Sequence, residues 1–327
     1  MTAGTHLGQL VTVFGASGFV GRHAVRAMAH RGYRIRAAER RPDLAGHLQP
    51  MGRVGQIMPV QANIRYPDSV KHALMGVDVA VNLVGILAKS GRQTFDAVHV
   101  EGARAIAKAA RAAGVETLVH VSALGADPKS ASAYARSKAA AEAAVLKEFP
   151  GAVILRPSVI FGPEDNFFNR FAAMARLSPV LPLIGGGRTR FQPVYVGDVA
   201  AAILAAVEGR ARPGVVYELG GSKVLSFRQI LEKVNGFVDR RTRLLSMPFW
   251  LAKLQAVLTA PLPGGLRPLT LDQVRLLQTD TVVSAAAKSE GRTLADLGVS
   301  EPRSIDSIVP DYLERFKPKG QYAHYRG

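Results

Sequence analysis

Three glycines, Gly15, Gly18 and Gly21, break the run Val11–Gly21 (VTVFGASGFVG) at a spacing suited to a tight strand-to-helix turn. Without a Cβ the backbone turns sharply, approaches a pyrophosphate closely and lets the following helix pack on its strand. The start of that helix, with Ser17, Phe19 and Val20 around it, then offers N–H groups to phosphates. The chemistry implied is dinucleotide binding. A second group is a hydroxyl, a phenol and an ammonium: Ser122, then Tyr134 and Lys138 spaced as YxxxK. Four residues is about one helical turn, so Tyr134 and Lys138 share a face. Such a pair recurs by chance; its place after a strand that ends at Ser122 gives it weight.

Past the second apolar run the chain reads Arg36-Ala-Ala-Glu39-Arg40-Arg41-Pro42. A carboxylate there binds free ribose hydroxyls, whereas an arginine pairs with a 2′-phosphate. Glu39 and Arg40 both lie near the expected place, so spacing alone leaves NAD and NADP open. Apart from a nucleotide, Arg41 reads as a solvent-facing charge and Glu39 as a local partner of these arginines. The eight histidines show no HExxH or paired ligand spacing, so each reads as a surface or packing residue and no metal is expected. Phe167, Phe168 and Phe171 at helical spacing read as core.

The elements that must hold these residues follow from the pattern of apolar runs. Strand-like runs at Val11–Phe14, Ile35–Ala38, Val79–Leu83, Thr117–Val121 and Val153–Leu155 alternate with helix-like segments such as Ala97–Ala113 and Ala133–Phe149. That alternation predicts an α/β fold with a doubly wound parallel sheet. Residues 1–162 are expected to form the nucleotide-binding domain, and 163–327 a smaller, interleaved α/β region that returns to the sheet at about 214–221. With 327 residues, 48% of them hydrophobic, the chain can bury a full core. It has no cysteine, which excludes disulfides and thiolate metal sites and fits a reducing compartment. The start, MTAGTHLGQL, carries neither a secretory nor an organellar signal pattern, so an untargeted bacterial cytoplasmic chain is expected.

Charge and apolar segments suggest partners. The 42 Lys and Arg against 25 Asp and Glu give a formal +17, which implies an acidic protein surface, an anionic membrane or nucleic acid, against a merely solvated basic surface. The basic residues are scattered and no nucleic-acid module accompanies them, so no nucleic acid partner is expected. Met247–Leu258, with Pro248 suited to a first helical turn, is apolar almost all round and follows Arg240, Arg241 and Arg243. It is too short to cross a bilayer, so it is a buried, a partner-binding or an interfacial helix. Ile305, Ile308, Val309, Tyr312, Leu313 and Phe316 recur at helical spacing as a core stripe, with a kink expected at Pro310.

The GxxGxxG loop with its Ala-Ser insert resembles the short-chain dehydrogenase/reductase superfamily in its extended and atypical branches, with a Rossmann-type fold. The resemblance implies that Tyr134 is the general acid/base, its pKa lowered by the nearby ammonium. It also implies that Lys138 holds the nicotinamide ribose and that Ser122 orients a substrate carbonyl. The RAxxRxP pattern resembles NADP-preferring members, in which the arginine matching Arg40 contacts the phosphate, so NADP(H) is favoured over NAD(H). Asn63 and Ile64 stand where relatives often carry an aspartate that contacts adenine. Leu83, Val84 and Gly85, after Asn82, match a turn that faces the cofactor, and Leu155-Arg-Pro157-Ser158 matches the strand end beside the nicotinamide. Asp198, in PVYVGDVA, is read as structural. The loop Ala123–Ala133 is short beside those of many sugar-converting members, so the chemistry at Ser122, Tyr134 and Lys138 is retained, vestigial or used only to grip the cofactor.

Several stretches of the second half together resemble the accessory subunits of respiratory complex I of the alpha-subcomplex subunit nine type, in an alphaproteobacterial form. They are Leu155–Asp165 (LRPSVIFGPED), the Gln192-Pro-Val-Tyr-Val run, Pro248–Leu258, Leu271–Thr281 (LDQVRLLQTDT) and Leu294-Ala-Asp-Leu-Gly298. That resemblance implies a firmly bound structural NADPH and a place on the peripheral arm near the membrane and the quinone-site region. For a bacterial chain this means the cytoplasmic face of the inner membrane, with complex I subunits and an anionic membrane surface as partners. The alternatives are a free NADPH-dependent reductase or epimerase, and a quinone- or lipid-binding protein of the membrane surface.

Overall fold

Apolar runs of four to six residues become the strands of one sheet in the computed structural model, which describes residues 8–260 and 269–318. Residues 1–7, part of the stretch read for targeting signals, lie outside them. The chain opens with β1 (Leu10–Phe14), α1 (Phe19–His30), β2 (Arg34–Glu39), β3 (Ile57–Gln61), α2 (Pro67–Leu74) and β4 (Val79–Asn82). It continues through α3 (Gly102–Ala112), β5 (Thr117–Val121), α4 (Ala133–Glu148) and β6 (Val153–Pro157). Next come β7 (Ile160–Phe161), α5 (Phe168–Leu177), β8 (Val180–Ile184), β9 (Arg190–Phe191), β10 (Val194–Tyr195), α6 (Val196–Val207) and β11 (Val216–Leu219). The remainder is β12 (Leu225–Ser226), α7 (Phe227–Phe237), β13 (Arg243–Met247), α8 (Phe249–Leu258), α9 (Leu271–Leu276), α10 (Ala285–Ser289) and α11 (Ile305–Leu313).

The chain divides into two compact units. The first comprises Met1–Pro157, Val196–Leu219 and Ser284–Ser300, the second Ser158–Tyr195, Gly220–Val283 and Glu301–Gly327. In the first unit seven strands pair in parallel in the order β11-β6-β5-β4-β1-β2-β3. Strand order reverses between β1 and β4, the switch point at which open α/β sheets bind ligands. Register puts the functional strand ends level: Phe14 pairs with Asn82, Asn82 with His120, and Val121 with Leu155. Helix α1 buries Gly21, Ala24, Val25, Met28 and Ala29, the stripe its sequence spacing predicts.

Three local departures have physical reasons. β3 (IMPVQ) is the outermost strand, where Pro59 is tolerated, and Pro59 is what hid the strand in the sequence. The helix expected from Ala97 begins as a π-helical segment, Asp96–Glu101, and becomes α-helical only at Gly102. Met247 ends a strand rather than starting a helix, and α8 begins after Pro248.

The second unit has its own core, built around Phe161, Phe168, Leu183, Phe227, Ile230, Val234, Val309 and Leu313. Phe168 is buried, with Phe167 and Phe171 packed beside it as edge-to-face rings. Helix α11 runs through Pro310 with Ile305, Val309 and Leu313 buried. Helix α8 inverts the usual arrangement: Ala252 and Ala256 are buried, while Trp250, Leu251, Leu254, Val257 and Leu258 face out, Trp250 being 66% exposed. Among the described residues no helix is long and apolar enough to cross a membrane.

Candidate functional site

The glycine loop has the geometry its spacing predicts. Gly15 adopts φ +82°, and a Cβ built on it would lie 3.3 Å from the carbonyl carbon of Leu83 and from Val84 N. A Cβ on Gly21 would come within 2.1 Å of the Gly15 carbonyl oxygen, so helix and loop touch backbone to backbone. Gly18 caps α1 without a side chain, and the first turn of α1, containing Phe19 and Val20, has no acidic residue. The positive end of the helix is thereby left to an anion. A carboxylate already reaches this loop, for Glu39 Oε1 accepts from Ser17 N at 2.6 Å. Glu39 is thus a partner of the glycine loop and not of the neighbouring arginines, which corrects the expectation from sequence. Arg40 donates to the neutral amide oxygen of Gln93 at 2.8 Å, whereas Arg41 is ion-paired with Asp43 at 2.8 Å.

The turn after β4 joins the loop to the rest of the site. Asn82 is buried and its Oδ1 accepts from Val84 N at 3.1 Å, which folds Leu83 and Val84 against Gly15. Asn82 Nδ2 also donates to His120 Nδ1 at 3.0 Å, leaving the His120 proton on Nε2, where it is buried without a hydrogen-bond partner among the described residues. Next to Gly85 lies Lys138, whose Nζ is 3.5 Å from the position of a Gly85 Cβ and donates to the Val121 carbonyl at 3.2 Å. His99 Nε2 accepts from Ile86 N at 3.0 Å, and its Nδ1 donates at 2.8 Å to Ser137 Oγ, which in turn donates to the Tyr134 carbonyl. The Tyr134 ring stands edge-on to His99 and Phe95.

Burial sets the protonation states. The Lys138 ammonium is pushed down to about 8, with nearby Glu142 opposing the shift. His99 and His120 are each pushed down to about 3, by burial first and then by the charge of Lys138, so both are neutral at physiological pH. Burial also pushes the Tyr134 hydroxyl up to about 12. Among the described residues Ser122 Oγ is buried with no hydrogen-bond partner, so no bond joins it to the Tyr134 hydroxyl. The Glu142 carboxylate is held by Arg156 through two bonds of 2.9 and 2.6 Å.

The structure therefore gathers Gly15, Ser17, Gly18, Phe19, Val20, Gly21, Leu83, Val84, Gly85 and Lys138 around the switch point, with Ser122 and Tyr134 on the adjoining strand end and helix. Other expected residues are used locally. Asn63 Oδ1 accepts from Arg65 N in its own turn, and Ile64 packs its Cδ1 where a Gly102 Cβ would stand. Pro157 ends β6, and the Ser158 hydroxyl donates to the Thr281 carbonyl at 2.8 Å within the second unit. Asp198 is buried in the first turn of α6. Sequence reasoning missed His99 and His120, read with the other histidines as surface or packing residues. One signal was available for His120: it stands two residues before Ser122, hence on the same strand face.

The site fits a dinucleotide on three grounds: a glycine loop so tight against its helix that a Cβ at Gly21 would overlap the Gly15 carbonyl, a helix start with no side-chain cap, and an orphaned hydroxyl at Ser122 next to the Val121 carbonyl that holds a buried ammonium. Comparisons with known proteins agree. A model of the NAD dependent epimerase/dehydratase family matches residues 11–220. The mitochondrial NADH dehydrogenase (ubiquinone) 1 alpha subcomplex subunit 9 of Arabidopsis thaliana is 38% identical over 288 residues, covering 85% of this chain and 71% of that one. A Caulobacter vibrioides protein named ceramide reductase is 37% identical over 196 residues, 60% of each chain. The crystal structure of an NADPH-dependent quinone oxidoreductase from Escherichia coli superposes with a TM-score of 0.71 at 20% identity, over 93% of this chain and 99% of that one, a likeness of fold. The chain belongs to the NAD dependent epimerase/dehydratase family, with an NAD(P)-binding Rossmann-type unit and subunit 9 of the NADH dehydrogenase alpha subcomplex among its relatives.

Proposed function

We propose that the chain is a nucleotide-bearing accessory subunit of a bacterial respiratory NADH:quinone oxidoreductase, in which NADP(H) is held as a structural group. Gly15, Ser17, Gly18, Phe19, Val20 and Gly21 hold the pyrophosphate, and Arg40, whose present acceptor is an uncharged amide, takes the 2′-phosphate. Arg41 is less available, being neutralised by Asp43. Asn63 and Ile64 border the adenine, while Leu83, Val84, Gly85, Pro157 and Ser158 border the nicotinamide half. Lys138 donates to the nicotinamide ribose, with Ser122 and Tyr134 on the same side. When bound, the nicotinamide supplies a transferable hydride.

One observation carries the structural role. Burial raises the Tyr134 hydroxyl to about 12 while the Lys138 ammonium rests on a backbone carbonyl. A phenol so far above neutrality is a poor proton donor or acceptor at working pH, whereas general acid/base catalysis favours a pKa near it. The same residues remain well placed to grip a ribose. The subunit reading draws on the Arabidopsis relative, and the outward apolar face of α8 beside Arg240, Arg241 and Arg243 suits a docking protein on the cytoplasmic face of the inner membrane, next to complex I subunits and anionic lipid. Native purification of NADH:quinone oxidoreductase tests it: the chain co-purifies in fixed ratio if the reading holds, and its recovery only from the soluble fraction overturns it.

A second reading is favoured by the name of the Caulobacter relative: an NADPH-dependent reductase in which Tyr134 protonates the product of hydride transfer to a carbonyl oriented by Ser122. NADPH oxidation that a Tyr134→Phe substitution abolishes would establish it.

A further inference from the structure

We infer that His99 is a positioning residue of the nucleotide site, a neutral two-sided clamp that fixes the turn Leu83–Ile86 to helix α4. This rests on the nucleotide-binding reading of the site. His99 is 2% exposed, and each ring nitrogen serves a different element: Nε2 accepts from Ile86 N at 3.0 Å, and Nδ1 donates to Ser137 Oγ at 2.8 Å. Only one tautomer satisfies both contacts, and a protonated ring would turn a donor toward the Ile86 N–H. The ring plane is set as well, stacked on Phe95 at 5.4 Å with a 20° tilt and meeting Tyr134 edge-on at 5.5 Å.

A second observation is independent of the ring. His99 lies inside the π-helical segment Asp96–Glu101, and such segments are rare and frequently found at functional sites. Regular α-helix starts again right after it, at Gly102. What the clamp holds is the link between two halves of the site. The turn packs against Gly15, and Gly85 is the point that Lys138 Nζ and His99 Nε2 both approach, at 3.5 and 3.8 Å from the position of its Cβ. Through Ser137, His99 also meets the carbonyl of Tyr134. The clamp thus sets the distance between the glycine loop and the Tyr134/Lys138 face, which a dinucleotide bridges.

The experiment compares the full chain with His99→Gln, His99→Leu and Ser137→Ala. Glutamine offers one acceptor and one donor, so it can serve both partners; leucine keeps volume but serves neither. The readouts are NADPH affinity by fluorescence titration and amide hydrogen exchange of the peptide containing Leu83–Ile86. Expected are NADPH binding within about threefold of wild type for glutamine, at least tenfold weaker for leucine and intermediate for Ser137→Ala, with faster exchange at Ile86 in the latter two. The clamp is overturned if leucine binds NADPH like wild type, or if glutamine is no better than leucine. Should leucine fail to fold, Ser137→Ala against His99→Gln decides by the same criteria. A wild-type chain that binds neither NADPH nor NADH overturns the nucleotide reading instead, and the exchange at Ile86 then decides the clamp by itself.

Discussion

Acid should unfold this protein earlier than its carboxylates alone would require, because two histidines are buried neutral. In the unfolded chain both titrate near 6.5; in the folded chain His99 and His120 are pushed down to about 3. Between these values the unfolded state binds more protons than the folded state, so stability is complete above pH 6.5 and falls as pH drops toward 3. Full protonation difference is worth about 1.4 kcal/mol per pH unit per group. Between pH 6 and 5 the unfolded histidines are on average about nine-tenths protonated, so each costs about 1 kcal/mol and the pair about 2 kcal/mol. Guanidinium unfolding followed by circular dichroism at pH 6.0, 5.5 and 5.0 measures the loss directly. Replacing His99 with glutamine removes one titrating group while serving both hydrogen-bond partners, and should halve the slope. A wild-type profile that is flat over this interval, or a variant slope equal to the wild-type one, would refute the argument that these imidazoles are buried uncharged. Lys138 predicts the same sign of pH dependence on the alkaline side. Its ammonium is held down to about 8 against 10.5 unfolded, so folding stability should rise between those pH values.

Three further outcomes follow from the geometry. Gly21→Ala places a methyl 2.1 Å from the Gly15 oxygen, so the loop must shift and NADPH titration should show affinity at least tenfold weaker, with about 1–3 kcal/mol of stability lost to overpacking. Arg40→Ala should weaken NADPH by about 10- to 150-fold, the value of a charge-assisted bond of about 1.5–3 kcal/mol, while leaving NADH unchanged; equal losses for both nucleotides would remove Arg40 from the 2′-phosphate. Joint replacement of Trp250 and Leu254 by serine should release the chain from membranes and from the oxidoreductase in co-purification, with stability within about 0.5 kcal/mol of wild type because both are exposed.

The sheet was legible because its inner strands are buried on both faces and so read as unbroken apolar runs. Thr117–Val121 begins and ends where the sequence places it. The edge strand β3 was not, since Pro59 breaks the pattern that inner strands keep. The glycine loop was readable for a backbone reason: Gly15 needs positive φ and Gly21 needs the absence of a Cβ, and both demands leave a mark on residue type. The polar cluster beneath it leaves no such mark. Asn82, His99, His120 and Ser137 come from two strands and two helical segments, and only the fold reveals that their side chains meet. Glu39 illustrates a subtler limit. Spacing brought it to the right place, but could not show that it would bond Ser17 N while Arg40 turned to Gln93. Helix α8 reads in the sequence as apolar almost all round; which side it exposes depends on where Ala252 and Ala256 pack.

The central claim is that the glycine loop, Arg40 and the Tyr134/Lys138 face hold a nucleotide that is kept rather than consumed. Exhaustive dialysis of the native protein, followed by extraction and quantification of nucleotide, tests it most directly. The account predicts close to one NADP(H) per chain after dialysis and no oxidation of added NADPH with carbonyl or quinone acceptors. A chain that emerges free of nucleotide, or that turns NADPH over in a manner abolished by Tyr134→Phe, would contradict it.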